Sequence, residues 1–196
     1  MSGIKLILGF GVTGLSIAKY FSKKKIEYKI FDTRNKSDID SLQISNLEQD
    51  ILYFKNYDDM IFDGIDEIII SPGFDKDHPI LKDIYEREIP ISTDIDIFKG
   101  LSKRPIISVT GTNGKTTVVS MIEHVLCSLG SKSIACGNNG VPPLGINPDD
   151  YDYIILELSS YQLENMKNHE SYISMITNID YDHLERHITM HHYLNV

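Results

Sequence analysis

Apolar residues recur along the chain in short runs that break at glycine, proline or an acid, and each run is followed by a stretch with helical spacing. Lys5-Leu6-Ile7-Leu8 reads as a strand that gives way to Gly9-Phe10-Gly11-Val12-Thr13-Gly14, after which Leu15, Ile17, Ala18 and Phe21 share one helical face. A second strand over 28–31 ends at Asp32, and further strands are predicted over 51–54 and 67–71, with Pro79 opening a helix over 80–87. The pattern then restarts. Residues 105–109 form an apolar run that dissolves into Gly111-Thr112-Asn113-Gly114 and resumes as a helix through Val118, Val119, Met121, Ile122, Val125, Leu126 and Leu129. Strands over 133–136, 153–158 and 172–177 follow. Strands alternating with helices predict parallel sheets, so the expected fold class is α/β. A Rossmann-like parallel-sheet domain is expected over 1–100 and a P-loop-type α/β domain over 101–196, joined by the polar stretch 100–105 with glycine and proline at its ends.

Composition narrows the partners. The 196 residues carry a net charge of -9, with 41% apolar and 24% charged residues, which suits a globular protein and argues against a nucleic-acid partner. The apolar run at the N-terminus is too short for a membrane span and poorly formed as a signal peptide, so the expectation is no membrane and a cytoplasmic location. Cys127 and Cys136 lack metal-ligand spacing and are expected as buried thiols.

Two glycine-rich turns carry the candidate chemistry. The first, Gly9 to Gly14, is a dinucleotide-type fingerprint, and Asp32 stands where such folds set an acid against a ribose, which taken alone suggests NAD. In the second, glycines 111 and 114 let the backbone curl its N–H groups toward a polyphosphate at a helix start. Lys115 can reach the outer phosphates and the Thr116 hydroxyl can ligate magnesium; Val109 stands where the full phosphate-loop pattern has its first glycine, so the loop is a shortened variant. Glu157 ends an apolar strand, where a metal ion or another cation would supply the partner that a buried carboxylate needs. Ser71 and Gly73 lie at a strand end on the same edge as the first fingerprint, and Asn138 and Asn139 sit in a loop able to offer amide contacts. His183, His187 and His191 recur every four residues, a spacing compatible with zinc. Only His183 adjoins a strand-end loop, and His187, His191 and His192 are expected at the surface.

The segments 111–117 and 157–164, then Asn178 with Asp182-His183, resemble the ATP-dependent Mur ligases of peptidoglycan synthesis. The run Glu157-Leu158-Ser159-Ser160-Tyr161-Gln162-Leu163-Glu164, the Gly9 to Gly14 fingerprint and Asp32-Thr33-Arg34 point to the branch that adds D-glutamate to UDP-N-acetylmuramoyl-L-alanine. The resemblance implies that Val12 and Thr13 contact the diphosphate side of that substrate, that Asp32, Thr33 and Arg34 contact its uracil end, and that Ser71 and Gly73 touch the same ligand. It implies ATP on Gly111, Thr112, Asn113, Gly114, Lys115, Thr116 and Thr117, with magnesium on Thr116 and Glu157 and a second ion on His183. Lys115 and His183 are then the catalytic residues, with Asn138, Ser159, Gln162 and His183 on the substrate side. In that family a carbamylated lysine follows the tyrosine matched by Tyr193 at a distance of four, one position beyond Val196, and the D-glutamate site also lies further on. The ATP domain is therefore expected to be incomplete here, the 196 residues to bind the UDP-sugar without ligating, and the full-length enzyme to be a monomer. An NAD-dependent oxidoreductase, a non-catalytic nucleotide-binding module and a folylpolyglutamate-type ligase are the alternatives. The first leaves the second glycine loop idle, and the last lacks the UDP-type first domain.

Overall fold

The structure, a computed structural model, describes residues 3–39, 52–168, 170–181, 187 and 189–195. The chain divides into two compact units, Met1–Asp94 and Ile95–Val196.

The first unit is a five-stranded parallel sheet in the order β3-β2-β1-β4-β5. Its strands are β1 (Ile4–Leu8), β2 (Tyr28–Asp32), β3 (Leu52–Phe54), β4 (Ile65–Ile70) and β5 (Ile91–Ser92), and its helices are α1 (Val12–Lys24) and α2 (Pro79–Glu86). Leu6, Leu8, Phe31, Ile68, Ile70, Ile80 and Ile84 form one buried cluster between sheet and helix. Each fully buried aliphatic side chain contributes about 1.5–3 kcal/mol. Helix α1 stops where Lys25 turns left-handed (φ 56°) and its amide reaches back to Phe21 and Ser22. Helix α2 starts as its proline predicts, with His78 as N-cap accepting from the Ile80 amide. Because β1 leads to β2 on one side and has β4 on the other, the order of strands reverses at β1, and such a switch point opens a crevice at the strands' C-terminal ends.

Helix α3 (Asp94–Leu101) starts at the last residue of the first unit and runs into the second, so Gly100 and Leu101, expected in the linker, instead form a helix's last turn. Buried Ile95 and Phe98, three residues apart, supply its apolar stripe. Asp96 Oδ1 accepts from the amides of Lys167 and Asn168, and the buried Lys99 ammonium donates to the carbonyls of Asn168 and Glu170. Burial pushes the Lys99 ammonium below its ordinary pKa. A four-stranded parallel sheet follows in the order β7-β8-β6-β9, built from β6 (Ile106–Thr110), β7 (Ser133–Gly137), β8 (Tyr153–Glu157) and β9 (Ile173–Ile176). Its helices are α4 (Lys115–Ser128), α5 (Ser160–Asn165) and α6 (Met190–Leu194).

Helix α4 covers the sheet with one stripe only. Val119, with Val118, Ile122 and Leu126, packs on Val109 and Ile155, whereas Met121, Val125 and Leu129 face outward. Cys127 is exposed, contrary to expectation, its thiol 3.8 Å from the Ser133 carbonyl oxygen of β7, while Cys136 on β7 is buried. Strand β9 is exposed at all four positions. Among the described residues no helix is long and apolar enough to cross a membrane.

Candidate functional site

In the first unit, β1 ends at Gly9, whose φ of 89° swings the chain out of the sheet. A Cβ on Gly14 would run into the Gly9 carbonyl oxygen, so only glycine lets the first turn of α1 pass this close to the strand end. Ser71, buried just after β4, donates its hydroxyl to that same carbonyl at 3.1 Å. Gly73 follows in an exposed turn with open space around it.

Asp32 at the end of β2 is buried, and both its oxygens are engaged. Oδ2 accepts from the Phe10 amide at 2.6 Å and from Arg34 Nη2 at 2.9 Å; Oδ1 accepts from the Arg34 amide at 2.9 Å and from Arg34 Nε at 2.8 Å. Burial pushes the Asp32 carboxyl up, but the guanidinium and two amides outweigh it and hold the group below the usual carboxylate value. Arg34 Nη2 also donates to the Phe10 carbonyl at 2.9 Å, so the guanidinium is pinned across the glycine loop with its side chain 46% exposed. An acid spent in this way is not the one that a dinucleotide fold offers to a ribose. Val12, at the first position of α1, is 74% exposed, Thr13 is half-buried and Thr33 lies in an exposed bend. The loop 9–14, Arg34 and Ser71 thus meet at one sheet edge.

In the second unit, β6 passes through Gly111 (φ 133°) and Gly114 (φ 82°) into α4, with Gly114 as the N-cap. A Cβ on Gly111 would collide with the Thr177 hydroxyl. The chain after β9 braces this loop. Asn178 accepts from the Thr112 and Asn113 amides at 3.0 and 2.9 Å and donates its own amide to the Asn113 carbonyl at 2.9 Å. Thr112 is buried, accepting from the Asp180 amide at 2.9 Å and sharing a hydrogen bond with the Tyr193 hydroxyl at 3.0 Å. Lys115 Nζ lies along the loop, donating to the carbonyls of Gly111 at 2.6 Å and Thr112 at 2.9 Å. Thr116 and Thr117 are exposed on the first turn of α4, whose unpaired amides and dipole favour an anion.

Glu157 is buried at the end of β8, in register with Val109 on β6. Asn138 donates its side-chain amide to Glu157 Oε1 at 3.0 Å, and the neighbouring Asn139 donates to Thr116 Oγ1 at 3.3 Å. Two adjacent asparagines therefore hold the carboxylate and the hydroxyl at one loop, and both are hard oxygen donors of the kind magnesium takes. Ser159 and Gln162 use their polar groups on each other: they form a reciprocal capping box at the start of α5, with Gln162 buried. His183 lies outside the described residues.

The histidine expectation needs correction at one position. His191 and His192 are exposed, but His187 is fully buried, its Nε2 sharing a hydrogen bond with Ser160 Oγ at 2.9 Å and its ring in tilted contact with the rings of Tyr161, His192 and Tyr193. A cavity of about 80 Å³, lined by Leu163, Ile176, Ile179, Tyr193 and Leu194 among others, opens beside Gly111. Its lining comes from four separate segments, and no single stretch of sequence announces it.

The model of the MurD-like N-terminal domain of Mur ligases matches residues 4–93, and that of the Mur ligase middle domain matches residues 109–196. The UDP-N-acetylmuramoylalanine--D-glutamate ligase of Buchnera aphidicola subsp. Acyrthosiphon pisum (strain Tuc7) is 42% identical over 183 residues, covering 93% of this chain and 41% of the relative. The protein of the same description from Legionella pneumophila (strain Lens) is 34% identical over 191 residues, covering 96% and 42%. The chain thus spans about two fifths of the length of these relatives. Among solved structures, the UDP-N-acetylmuramate:L-alanyl-gamma-D-glutamyl-meso-diaminopimelate ligase from Neisseria meningitides superposes with a TM-score of 0.57 at 19% identity, covering 99% of this chain and 68% of that one. The UDP-N-acetylmuramate-alanine ligase MurC from Thermotoga maritima gives 0.51 at 21% identity, covering 98% and 45%. At such identities these structures support the α/β fold alone.

Proposed function

Because the chain belongs to the Mur ligase family, with a MurD-like N-terminal domain ahead of a Mur ligase middle domain, we propose that it serves an ATP-dependent ligase that joins D-glutamate to UDP-N-acetylmuramoyl-L-alanine in the cytoplasm. Residues 1–100 would hold the UDP-sugar and residues 101–196 would contribute the ATP site. The observation that carries this reading is a pair of glycine-bent strand-to-helix junctions, each with a cation fixed on its loop: Arg34 on the first and Lys115 on the second.

The roles follow from that arrangement. Val12 and Thr13 would face the diphosphate at the start of α1, and the exposed part of Arg34 would meet the uracil end beside Thr33, with Asp32 as its anchor. Ser71 would hold the loop in shape, and Gly73 would leave room for the ligand. On the second loop, ATP phosphates would lie on the amides of 111–117, with Lys115 transferring its hydrogen bonds from the loop carbonyls to the β and γ phosphates. Thr116 and Glu157 would hold magnesium, which supplies neutralisation of the phosphate charge. His183 is proposed as the ligand of a second ion, and Asn138 as a contact to the muramoyl group. Ser159 and Gln162 would act by fixing the start of α5 on the substrate side.

The reaction class is carboxylate activation. The γ-phosphoryl passes to the alanine carboxylate as ADP leaves, and the amine of D-glutamate then displaces phosphate to form the amide. Such transfer depends on positioning and charge stabilisation, which loop amides, a lysine and bound cations supply. Calorimetric titration of the 196-residue chain tests the first half of this reading. Saturable binding of UDP-N-acetylmuramoyl-L-alanine and none of NAD is expected, with Arg34→Ala weakening binding about 10-fold or more, the worth of one charge-assisted hydrogen bond. Saturable NAD binding without UDP-substrate binding would move the reading to a dehydrogenase.

A further inference from the structure

Glu164 on α5, the buried His187 and His192 on α6 each bring one metal-ligating atom to within 4.8 Å of the others. We propose that these three side chains form a zinc-class cation site, separate in its residues from the magnesium ligands of the ATP loop, that ties α6 to α5.

The side chains around the cluster orient it. His192 Nδ1 lies 2.9 Å from the His187 carbonyl oxygen. A carbonyl only accepts, so Nδ1 carries the proton and Nε2 of the neutral ring carries the lone pair that a metal takes. Ligating histidines are commonly fixed in this way, the other ring nitrogen donating to a backbone carbonyl or a neighbouring side chain. His187 has the same kind of support. Its Nε2 shares a hydrogen bond with Ser160 Oγ at 2.9 Å, and Tyr161 and Tyr193 flank the ring with centroids at 5.9 and 5.2 Å. Glu164 adds a half-buried carboxylate.

Two imidazoles and one carboxylate make a donor set for zinc and similar divalent ions, whereas magnesium and calcium take oxygen shells. Ligand atoms bonded at ~2.0–2.1 Å around a tetrahedral ion stand about 3.3 Å apart, so the cluster needs to contract by at most about 1.5 Å. Exposed His192 and half-buried Glu164 can move by that much through side-chain rotation. The site has a mechanical consequence. Helix α6 also carries Tyr193, whose hydroxyl meets Thr112 of the nucleotide loop at 3.0 Å, so a cation that locks α6 onto α5 would also steady that loop.

The test is titration of the chelator-treated chain with zinc, and with cobalt as a spectroscopic substitute. The expected result is one equivalent bound, a rise of a few degrees in thermal midpoint with zinc, and a cobalt spectrum showing nitrogen ligation. His192→Ala and Glu164→Gln should each weaken binding by at least the ~10–100-fold that loss of a supporting contact costs. His191→Ala, one residue away and exposed, should leave binding unchanged. Wild-type affinity in His192→Ala, an all-oxygen cobalt spectrum, or the absence of stoichiometric zinc binding by the folded wild-type chain would each overturn the site. His187 is left intact in these variants, so their fold does not depend on refilling a buried position.

Discussion

In a full-length ligase carrying these residues, replacing Lys115 with alanine is expected to lower the rate of ADP release, in the presence of ATP, UDP-N-acetylmuramoyl-L-alanine and D-glutamate, by about 10²–10³-fold, the usual loss when one preorganised charge-stabilising donor is removed. The side chain already lies along the loop, with Nζ 2.6 and 2.9 Å from two of its carbonyl oxygens, so little reorganisation separates it from phosphates seated on the same loop. Folding should hardly notice the change. Lys115 is the first residue of α4, where a cation faces the positive end of the helix dipole at a cost of roughly 0.3–1 kcal/mol. Removing it gives back that cost and loses two hydrogen bonds worth about 1 kcal/mol each, so the net change stays near 1 kcal/mol. Lys115→Arg should not restore activity, since a planar fork does not occupy the space of a compact ammonium. An unchanged rate in Lys115→Ala would remove the lysine from the chemistry.

Gly14→Ala is expected to have the largest effect on stability. The added Cβ meets the Gly9 carbonyl oxygen and comes within 3.5 Å of Ser71 Oγ. The first obstacle is backbone, which cannot rotate away, so the start of α1 must move off the sheet at a cost of about 3 kcal/mol, the upper end for overpacking. The displacement would spread to Phe10, whose amide and carbonyl anchor Asp32 and Arg34, and binding of the UDP-sugar should fall with stability. Gly11→Ala is the control. Gly11 has φ −85° and nothing within 4 Å of an added Cβ, so its effect should remain within about 0.5 kcal/mol. Urea denaturation followed by circular dichroism distinguishes the two, and equal midpoints would contradict the packing described at Gly14.

The junctions were legible because each combines a buried apolar strand with glycine where the backbone turns sharply, and both signals lie within a dozen residues. That is why β1–α1 and β6–α4 occur where expected. Strand β5 is not legible because two residues after Pro90 carry no alternation to detect; among the described residues its pairing is with β4. The end of helix α3 reads as linker in sequence because its burying stripe is Ile95 and Phe98, while Asp96 and Lys99 are fixed by residues about 70 positions later. The same limit applies at the site. Asp32 and Arg34 both stand out in the sequence, but their ion pair and its grip on Phe10 depend on β1 and β2 ending side by side. His187 looked like a surface residue from its four-residue spacing. Its burial comes from Ser160, Tyr161 and Tyr193, two segments that the local pattern does not connect. The outer face of α4 reads as apolar in sequence, yet only one stripe of it finds a sheet to cover.

Amide hydrogen exchange on the 196-residue chain, with each ligand added separately, tests most directly the claim that two glycine loops hold two different nucleotides. UDP-N-acetylmuramoyl-L-alanine should slow exchange over 9–14 and 71–73, and ATP with magnesium should slow it over 111–117, each leaving the other loop at its unliganded rate. Protection of 9–14 by ATP, or of neither loop by either ligand, would contradict the account.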